Sequence, residues 1–374
     1  MMSAAPLTML VGSYTASSGG HAAGISLVRS VPHDADADAG HGEDAYTVTT
    51  AAVIDDPSFL ALDGDRLYAV SEASAGSVHA FRFDGAHLEH LWDITSGGDS
   101  PCHLAVRSDG SVLVANYVSG SVALLSAAGA ISDGDRVRAA LLTAAADEPH
   151  GAETVTRLQA DLIRLHPLPP ATGPVSDRQE GPHAHQTLET DRGTVLVADL
   201  GGDALHELRI ESDGSIAPLH VHPLAPGTGP RHMVWHDGSL FVTGELDGRV
   251  HRLERDEHGR LVERRSASAV EGPSAEALLS HIDVDESGRL YAAVRGPDTI
   301  AVFDTANGGL RRLASVPTGG AWPRHFARVD GFLLVANERS DAITVLPLDA
   351  DGIPGQPIAR IPVGSPTCVL PVGR

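Results

Sequence analysis

The chain has 374 residues, a formal net charge of −22 and 27 basic side chains, every one of which is an arginine. The acidic balance argues against nucleic acid as a partner, since phosphate backbones attract basic surfaces. The absence of lysine excludes Schiff-base catalysis by a lysine amine.

The sequence carries no sign of export or membrane attachment. Its first residues lack the basic and apolar segments of a secretory signal peptide. No apolar run approaches the ~20 residues that span a bilayer, and two cysteines, Cys102 and Cys368, make no disulfide framework. We therefore expect a cytoplasmic protein. Nothing in the sequence signals an oligomer, so a monomer is the expected state.

A cassette of short strands recurs along the chain. Its second strand, of the form Leu-Val-Ala-Asn, is followed by a Ser-Gly or Asp-Gly turn and a further apolar strand. Copies start 43 to 50 residues apart, apart from one step of 83, and a four-stranded propeller blade takes ~40–50 residues. Six copies begin at Leu67, Val112, Val195, Leu240, Leu290 and Leu333. A unit built only of strands cannot bury its own face, so the cassette predicts the stacked blades of a β-propeller.

The two ends of the chain supply a seventh copy. Residues 9–14 match a second strand without a first, and residues 365–371 match a first strand without a second. Together they complete one blade, which closes the ring and removes exposed sheet edges. The sequence thus predicts an all-β fold, a seven-bladed β-propeller, as a single domain over residues 1–374. The step of 83 predicts an insertion at about 130–180, and the acidic segment at about 32–45 predicts a flexible loop.

Polar residues cluster at two points of the cassette, where the first strand starts and where the second strand ends. In an antiparallel meander these two points lie at the same end of the blade. We expect the side chains there to converge at one mouth of the central channel, where buried charges mark candidate sites. They are His103, His183, His185, Arg231, His232, Arg324 and His325 at strand starts, and Glu245, Arg295 and Glu338 at strand ends.

The histidines have a structural alternative and a metal-binding one. His103, His232 and His325 recur at one equivalent position and could hold the strand end through hydrogen bonds to a neighbouring blade. His183 and His185 form a His-x-His pair in an extended segment, so both rings point to one side, which favours a functional role. With a glutamate, such a pair could form part of a metal site. A cation would be repelled by arginines in the same funnel, so we expect an anionic ligand and no metal or cofactor.

Arg231, Glu245 and Arg295 depart from the repeat consensus at their positions. A structural residue would be expected to recur from blade to blade. The pattern therefore favours a catalytic or binding role for these three side chains, whereas Glu338 could equally be a charge on the rim.

Four motifs also carry a family likeness. They are residues 181–186 (GPHAHQ), 229–232 (GPRH), 244–246 (GEL), and 323–326 (PRHF) with 334–337 (LVAN). These motifs resemble the lactonase family of seven-bladed propellers, which includes the propeller-type 6-phosphogluconolactonase and the fungal carboxy-muconate lactonizing enzyme. The resemblance runs from the first blade strand to the C-terminus.

The resemblance implies an active site made of one histidine, two arginines and one glutamate. In this chain they would be His183 or His185, Arg231 with Arg295, and Glu245. The family often has asparagine before the glutamate and before the second arginine. This chain has Gly244 and Val294 there, which can change the contacts with the substrate.

The resulting functional hypothesis is hydrolysis of a small anionic lactone, foremost 6-phosphogluconolactone. Arg231 and Arg295 would hold the anionic group and stabilise the oxyanion that develops on the carbonyl. A histidine of the 183/185 pair or Glu245 would activate water. Further contacts with the substrate are expected from His103, His232, Arg324, His325 and Glu338.

Two other functions stay open at this point. One is a cycloisomerase that acts on a carboxylated muconate and uses the same arginines on the substrate carboxylates. The other is a non-catalytic propeller that binds a small anion or a protein at its mouth. An aromatic content of 4% disfavours a large protein-binding face, since such faces rely on aromatic anchors.

Overall fold

The computed structural model describes residues 7–31, 45–125, 162–272 and 276–372. Most of the predicted loop at 32–45 and a large part of the predicted insertion at 130–180 lie outside these residues. Two compact units make up the chain, one formed by Met1–Ser58 with Gly227–Arg374 and the other by Phe59–Pro226.

The described residues contain 28 strands. In chain order the first fifteen are β1 (Thr8–Ser13), β2 (Ile25–Ser30), β3 (Tyr46–Ala52), β4 (Leu60–Asp63), β5 (Arg66–Ser71), β6 (Ser77–Phe83), β7 (Leu88–Thr95), β8 (Pro101–Val106), β9 (Val112–Asn116), β10 (Ser121–Leu125), β11 (Ile163–Pro167), β12 (Ala184–Glu189), β13 (Thr194–Asp199), β14 (Ala204–Ile210) and β15 (Ile216–Pro223).

The remaining strands are β16 (Pro230–His236), β17 (Ser239–Gly244), β18 (Arg249–Arg255), β19 (Leu261–Ser268), β20 (Leu278–Val284), β21 (Arg289–Arg295), β22 (Thr299–Asp304), β23 (Arg311–Pro317), β24 (Pro323–Val329), β25 (Phe332–Asn337), β26 (Ala342–Pro347), β27 (Ala359–Pro362) and β28 (Pro366–Pro371). Short 3-10 turns occur at Ala16–Ser18, Ala306–Gly308 and Glu338–Ser340. Among the described residues, no helix is long and apolar enough to cross a membrane.

These strands form seven four-stranded antiparallel sheets within the described chain. The unit Phe59–Pro226 contains the sheets β4–β7, β8–β11 and β12–β15, and the other unit contains β16–β19, β20–β23, β24–β27 and β28-β1-β2-β3. Each sheet is one blade, so the predicted seven-bladed β-propeller is confirmed. Strand β11 lies within the range 130–180 and completes the blade that β8, β9 and β10 begin, so that range is not wholly an insertion.

The two ends of the chain share a blade, as the sequence predicts. Strand β28 pairs with β1 in antiparallel register, with Met9 opposite Pro371 and Val11 opposite Val369. The C-terminal strand is therefore the edge strand on the side of β1, and β2 and β3 follow on the other side.

The apolar second strands build the core of each unit. Strand β9 is buried at every position, and β5, β13, β17, β21 and β25 are buried along most of their length. A strand that reads as a continuous apolar run needs cover on both faces. Large side chains such as Tyr291, Phe303 and Phe326 fill the space between neighbouring sheets.

A β-bulge near the start of the first strand is a recurring feature. In β8, β12, β16, β20 and β24 the register with the next strand shifts by one residue. Bulges re-aim side chains and are frequent beside functional sites. The residues at which the register shifts are Cys102, His185, Arg231 with His232, Ser280 with His281, and Arg324.

Candidate active site

A buried cluster of two arginines and one glutamate lies in the unit that contains residues 227–374. Arg231 follows the first residue of β16, Glu245 follows the last residue of β17, and Arg295 ends β21. Nε of Arg231 is 3.1 Å from Oε2 of Glu245, and Nη2 of Arg295 is 2.8 Å from the same oxygen. Because Pro230 pairs with Gly244, the meander brings the first two together, as the sequence predicts.

The backbone holds this cluster in place. The N–H of Glu245 donates to the carbonyl of Gly229 at 2.8 Å. The Arg295 guanidinium donates to the carbonyls of Leu278 and Leu279 at 3.3 and 3.1 Å. Both arginines contact the same carboxylate oxygen in a buried place. Such an arrangement favours an anion, because guanidinium groups bind carboxylates and phosphates through directed hydrogen bonds.

A second arginine–glutamate pair occupies the equivalent place in the blade of β24–β27. Nη1 of Arg324 is 3.4 Å from Oε2 of Glu338, and the Arg324 guanidinium carbon lies 4.8 Å from the ring centre of Tyr14. Pro323 pairs with Asn337, so the same meander geometry brings this pair together. One carboxylate balances one guanidinium here, and both side chains are partly exposed.

Three imidazoles form a contiguous group in the same unit. Nδ1 of His232 is 3.0 Å from Nδ1 of His281, and the His281 ring stacks on the His325 ring with 3.9 Å between ring centres. Burial lowers the pKa of His325 to about 3, and the positive charge of Arg231 adds to this effect. His325 is therefore neutral at physiological pH and cannot serve as a cationic contact for an anion.

His183 and His185, in the unit Phe59–Pro226, pack around one tyrosine. The ring of His183 stacks on Tyr117 with 4.5 Å between centres, and the ring of His185 meets Tyr117 edge-on at 5.5 Å. Nδ1 of His183 is 3.0 Å from the carbonyl oxygen of Tyr117, and Nε2 is 3.2 Å from Oε1 of Glu180. A carbonyl only accepts hydrogen bonds, so Nδ1 donates its proton to Tyr117, and Nε2 faces the Glu180 carboxylate.

The backbone of His183 is also fixed. Its N–H donates to Oδ1 of Asp199 at 2.8 Å, and Oδ2 of Asp199 is 3.1 Å from Nε2 of the buried His206. His185 differs, since its Nδ1 lies 3.7 Å from Sγ of Cys102. Of the two histidines, His183 thus has the arrangement of a positioned base.

His103 has contacts of a structural kind. Its ring centre is 4.4 Å from that of Phe59, and its Nδ1 accepts a long 3.5 Å hydrogen bond from the N–H of Thr187 in the neighbouring strand β12. This geometry is what the structural alternative for His103, His232 and His325 predicts. A contact between His103 and a substrate stays a prediction.

Sequence reasoning did not select Tyr117 and His281 as site residues. Tyr117 directly follows the last residue of a second strand, as Glu245 and Glu338 do, so the repeat offered a signal for it. His281 lies three residues after the start of β20. Unlike His103, His232 and His325, it does not stand two residues after a proline. Its place beside His232 and His325 follows from the bulge in β20.

Comparisons with known proteins agree with this geometry. The lactonase family described as a 7-bladed β-propeller matches residues 8–371. The chain is 31% identical over 321 residues to the 6-phosphogluconolactonase of Bacillus subtilis strain 168, which covers 80% of this chain and 82% of that protein.

Solved structures show the same fold. A candidate 6-phosphogluconolactonase of Bacteroides fragilis NCTC 9343 matches with a TM-score of 0.79 at 25% identity and covers 100% of this chain and 99% of its own. The periplasmic gluconolactonase PpgL of Pseudomonas aeruginosa matches with a TM-score of 0.75 at 24% identity and covers 99% of both chains. A β-propeller with buried arginine–carboxylate clusters at its strand ends is the class that fold and site define. Within it, the chain belongs to the lactonase family of seven-bladed β-propellers.

Proposed function

We propose that this protein hydrolyses a sugar lactone, foremost 6-phosphogluconolactone to 6-phosphogluconate. The observation that carries the proposal is the buried Arg231–Glu245–Arg295 cluster, in which two guanidinium groups converge on one carboxylate. The name of the Bacillus subtilis relative supports the same substrate. Neither the cycloisomerase nor the non-catalytic alternative gains support from the relatives.

The arginines supply binding and electrostatic stabilisation. Addition of water to the lactone carbonyl puts negative charge on its oxygen, and fixed guanidinium groups stabilise that charge. Glu245 is held between two guanidinium groups and so stays ionised and engaged. We therefore assign it the positioning of Arg231 and Arg295 rather than proton abstraction.

His183 is the proposed general base. Its Nε2 lies next to Glu180, so the imidazolium that forms on taking a proton from water meets a carboxylate. The hydroxide adds to the carbonyl carbon, the ring C–O bond breaks, and the proton returns to the departing alkoxide. That His183 and the arginines act on the same substrate is a prediction from the sequence.

The deciding experiment is hydrolysis of freshly generated 6-phosphogluconolactone by the purified, chelator-treated protein, with unphosphorylated gluconolactone in parallel. We expect metal-independent turnover well above the spontaneous rate. Arg231→Ala should lower kcat/KM by about 10²-fold or more, the usual effect of losing an oxyanion-stabilising group, with the circular dichroism spectrum retained. His183→Gln should lower kcat by about 10²-fold or more, the usual contribution of a general base, with the circular dichroism spectrum retained. No acceleration of either lactone, or full activity of the Arg231 variant, would overturn the assignment.

This activity would place the protein in carbohydrate metabolism, in the pentose phosphate pathway. A cytoplasmic location and a monomeric state complete the proposal. Cell fractionation and the mass in solution test these two points.

A further inference from the structure

Trp322 has a backbone conformation that large side chains rarely adopt. Its φ is +64°, in the left-handed region, which is a genuine outlier for a bulky residue. Its N–H donates to Oδ1 of Asp298 at 2.8 Å, and Pro323 follows it as the first residue of β24. The surroundings therefore hold the strained conformation in place.

The repeat explains the conformation but not the tryptophan. The residue before the proline that starts a first strand is left-handed in three other blades as well, where it is Ser100 (φ +51°), Gly229 (φ +57°) or Ser365 (φ +36°). Small residues meet this requirement with little strain. A tryptophan at the same place points to a role for its ring.

Two guanidinium groups lie against that ring. The guanidinium carbon of Arg295 is 5.5 Å from the ring centre of Trp322, and that of Arg339 is 3.5 Å away. Both distances are within the range of cation–π attraction. Arg295 also belongs to the cluster with Glu245, so Trp322 joins Arg339 to the candidate active site.

The segment that contains Arg339 is hydrogen-bonded to the segment that contains Trp322. The N–H of Glu338 donates to the carbonyl of Trp322 at 3.1 Å, and the N–H of Arg339 donates to the carbonyl of Ala321 at 3.2 Å. The N–H of Ala321 donates to Oγ of Ser340 at 2.7 Å. These three hydrogen bonds, with the ring stacking, hold the Arg339 guanidinium in one place before any ligand arrives.

Arg339 is exposed, and within the described part of the chain no carboxylate pairs with its guanidinium. Arg324, in contrast, is balanced by Glu338. A pre-positioned, solvent-accessible arginine next to the Arg231–Glu245–Arg295 cluster offers its hydrogen-bond donors to a second anionic group. Phosphate suits it, because its oxygens accept paired hydrogen bonds from one guanidinium.

We propose that Arg339, held by Trp322, is the phosphate-binding subsite that makes the enzyme prefer a phosphorylated lactone. The proposal rests on the proposed lactonase function and adds what selects its substrate. Arg231 and Arg295 then act at the lactone carbonyl, and Arg339 receives the phosphate at the other end of the sugar.

The test is the ratio of kcat/KM for 6-phosphogluconolactone to kcat/KM for gluconolactone. We expect Arg339→Gln to lower this ratio at least tenfold, mainly through KM for the phosphorylated lactone. Trp322→Ser, which installs the residue that two other blades use, should fold normally and lower the ratio by less than Arg339→Gln does. Trp322→Phe should retain most of it, since a ring remains. Arg311→Gln is the matched control, because Arg311 is an exposed arginine of the same unit paired with Asp304.

An unchanged ratio in Arg339→Gln would overturn the subsite while leaving the lactonase assignment intact. If the native protein hydrolyses neither lactone, the proposed function has failed, and calorimetry with inorganic phosphate and with 6-phosphogluconate then decides on the subsite. Binding that is lost in Arg339→Gln but kept in Arg311→Gln would support it. No difference between these two variants would refute it.

Discussion

Two blades of this protein use the same residues in the same places with different results. Arg231 and Glu245 therefore recur in a second blade, and of the three residues that were expected to depart from the repeat only Arg295 does so. The blade of β16–β19 has Arg231, His232 and Glu245, and the blade of β24–β27 has Arg324, His325 and Glu338. In the first, the side chains of the ion pair are 4% and 1% exposed. In the second, they are 17% and 18% exposed.

A third residue distinguishes the two ion pairs. Arg295 from β21 reaches Glu245, so two guanidinium groups share that carboxylate, while the ion pair of the other blade joins Arg324 to Glu338. The repeat therefore supplies the scaffold for an ion pair in both blades, and one arginine from a neighbouring blade adds a second guanidinium to one of these pairs. Function in a repeat protein lies in such departures from the repeat.

The largest expected effect separates the two glutamates. Glu245→Gln removes the carboxylate that two buried guanidinium groups share, so we expect a loss of about 3–5 kcal/mol in the free energy of unfolding. Glu338→Gln should lose about 0–1 kcal/mol, since its ion pair is partly solvated. Urea unfolding of the two variants measures both values. Equal losses would mean that burial does not distinguish the two blades.

The pH dependence of stability tests whether burial and the Arg231 charge keep His325 neutral in the folded protein. Burial, with Arg231, lowers the pKa of His325 to about 3, whereas the ordinary value is about 6.5. The unfolded chain then binds the proton more readily, so this contribution to stability is complete above about pH 6.5. It is lost as the pH falls toward 3, by about 1.4 kcal/mol per unit.

The difference between native protein and His325→Gln, followed by unfolding at several pH values, should show that slope. His251→Gln is the matched control. Burial alone would lower the pKa of His251, but hydrogen bonds and charges of Asp247 and Glu263 raise it to about 9. Its contribution is present below about pH 6.5 and lost as the pH rises toward 9, so the two variants should change opposite limbs of the profile. A flat difference for His325→Gln on the acid limb contradicts the interpretation.

The smallest expected effect concerns Arg324. Because Glu338 already balances it, Arg324→Gln should lower kcat/KM for the lactone by about tenfold or less, well short of the loss expected for Arg231→Ala. Steady-state kinetics of the two variants measures the gap. A loss for Arg324→Gln as large as that for Arg231→Ala would show that both blades contribute equally to the reaction.

Much of the fold could be predicted because the cassette repeats a local pattern. Each copy contains its own alternation of apolar residues and its own turn signals, and the split seventh copy follows from what each end of the chain lacks. The meeting of Arg231 with Glu245 was predictable for the same reason, since an antiparallel pair of strands fixes which strand ends are neighbours.

Other parts of the site depend on conditions that a single sequence does not reveal. The place of His281 follows from a bulge, which shifts the register without a signature in the residue pattern. The contact between Arg339 and Trp322 depends on the left-handed backbone at Trp322 and on the stacking of two neighbouring turns. Packing around the two glutamates makes the Glu245 ion pair buried and the Glu338 ion pair partly exposed. Local periodicity carries none of this information.

The blade shared by the chain ends has a consequence for synthesis on the ribosome. Strand β1 (Thr8–Ser13) is made long before its partner β28 (Pro366–Pro371), so at ~5–20 residues per second the pairing waits on the order of tens of seconds. Until then the nascent chain offers the edge of β1, which is the kind of surface that other strands add to. Crowded translation of neighbouring copies is thus the stage at which this chain is most exposed to wrong pairing, and the arrival of β28 ends that exposure.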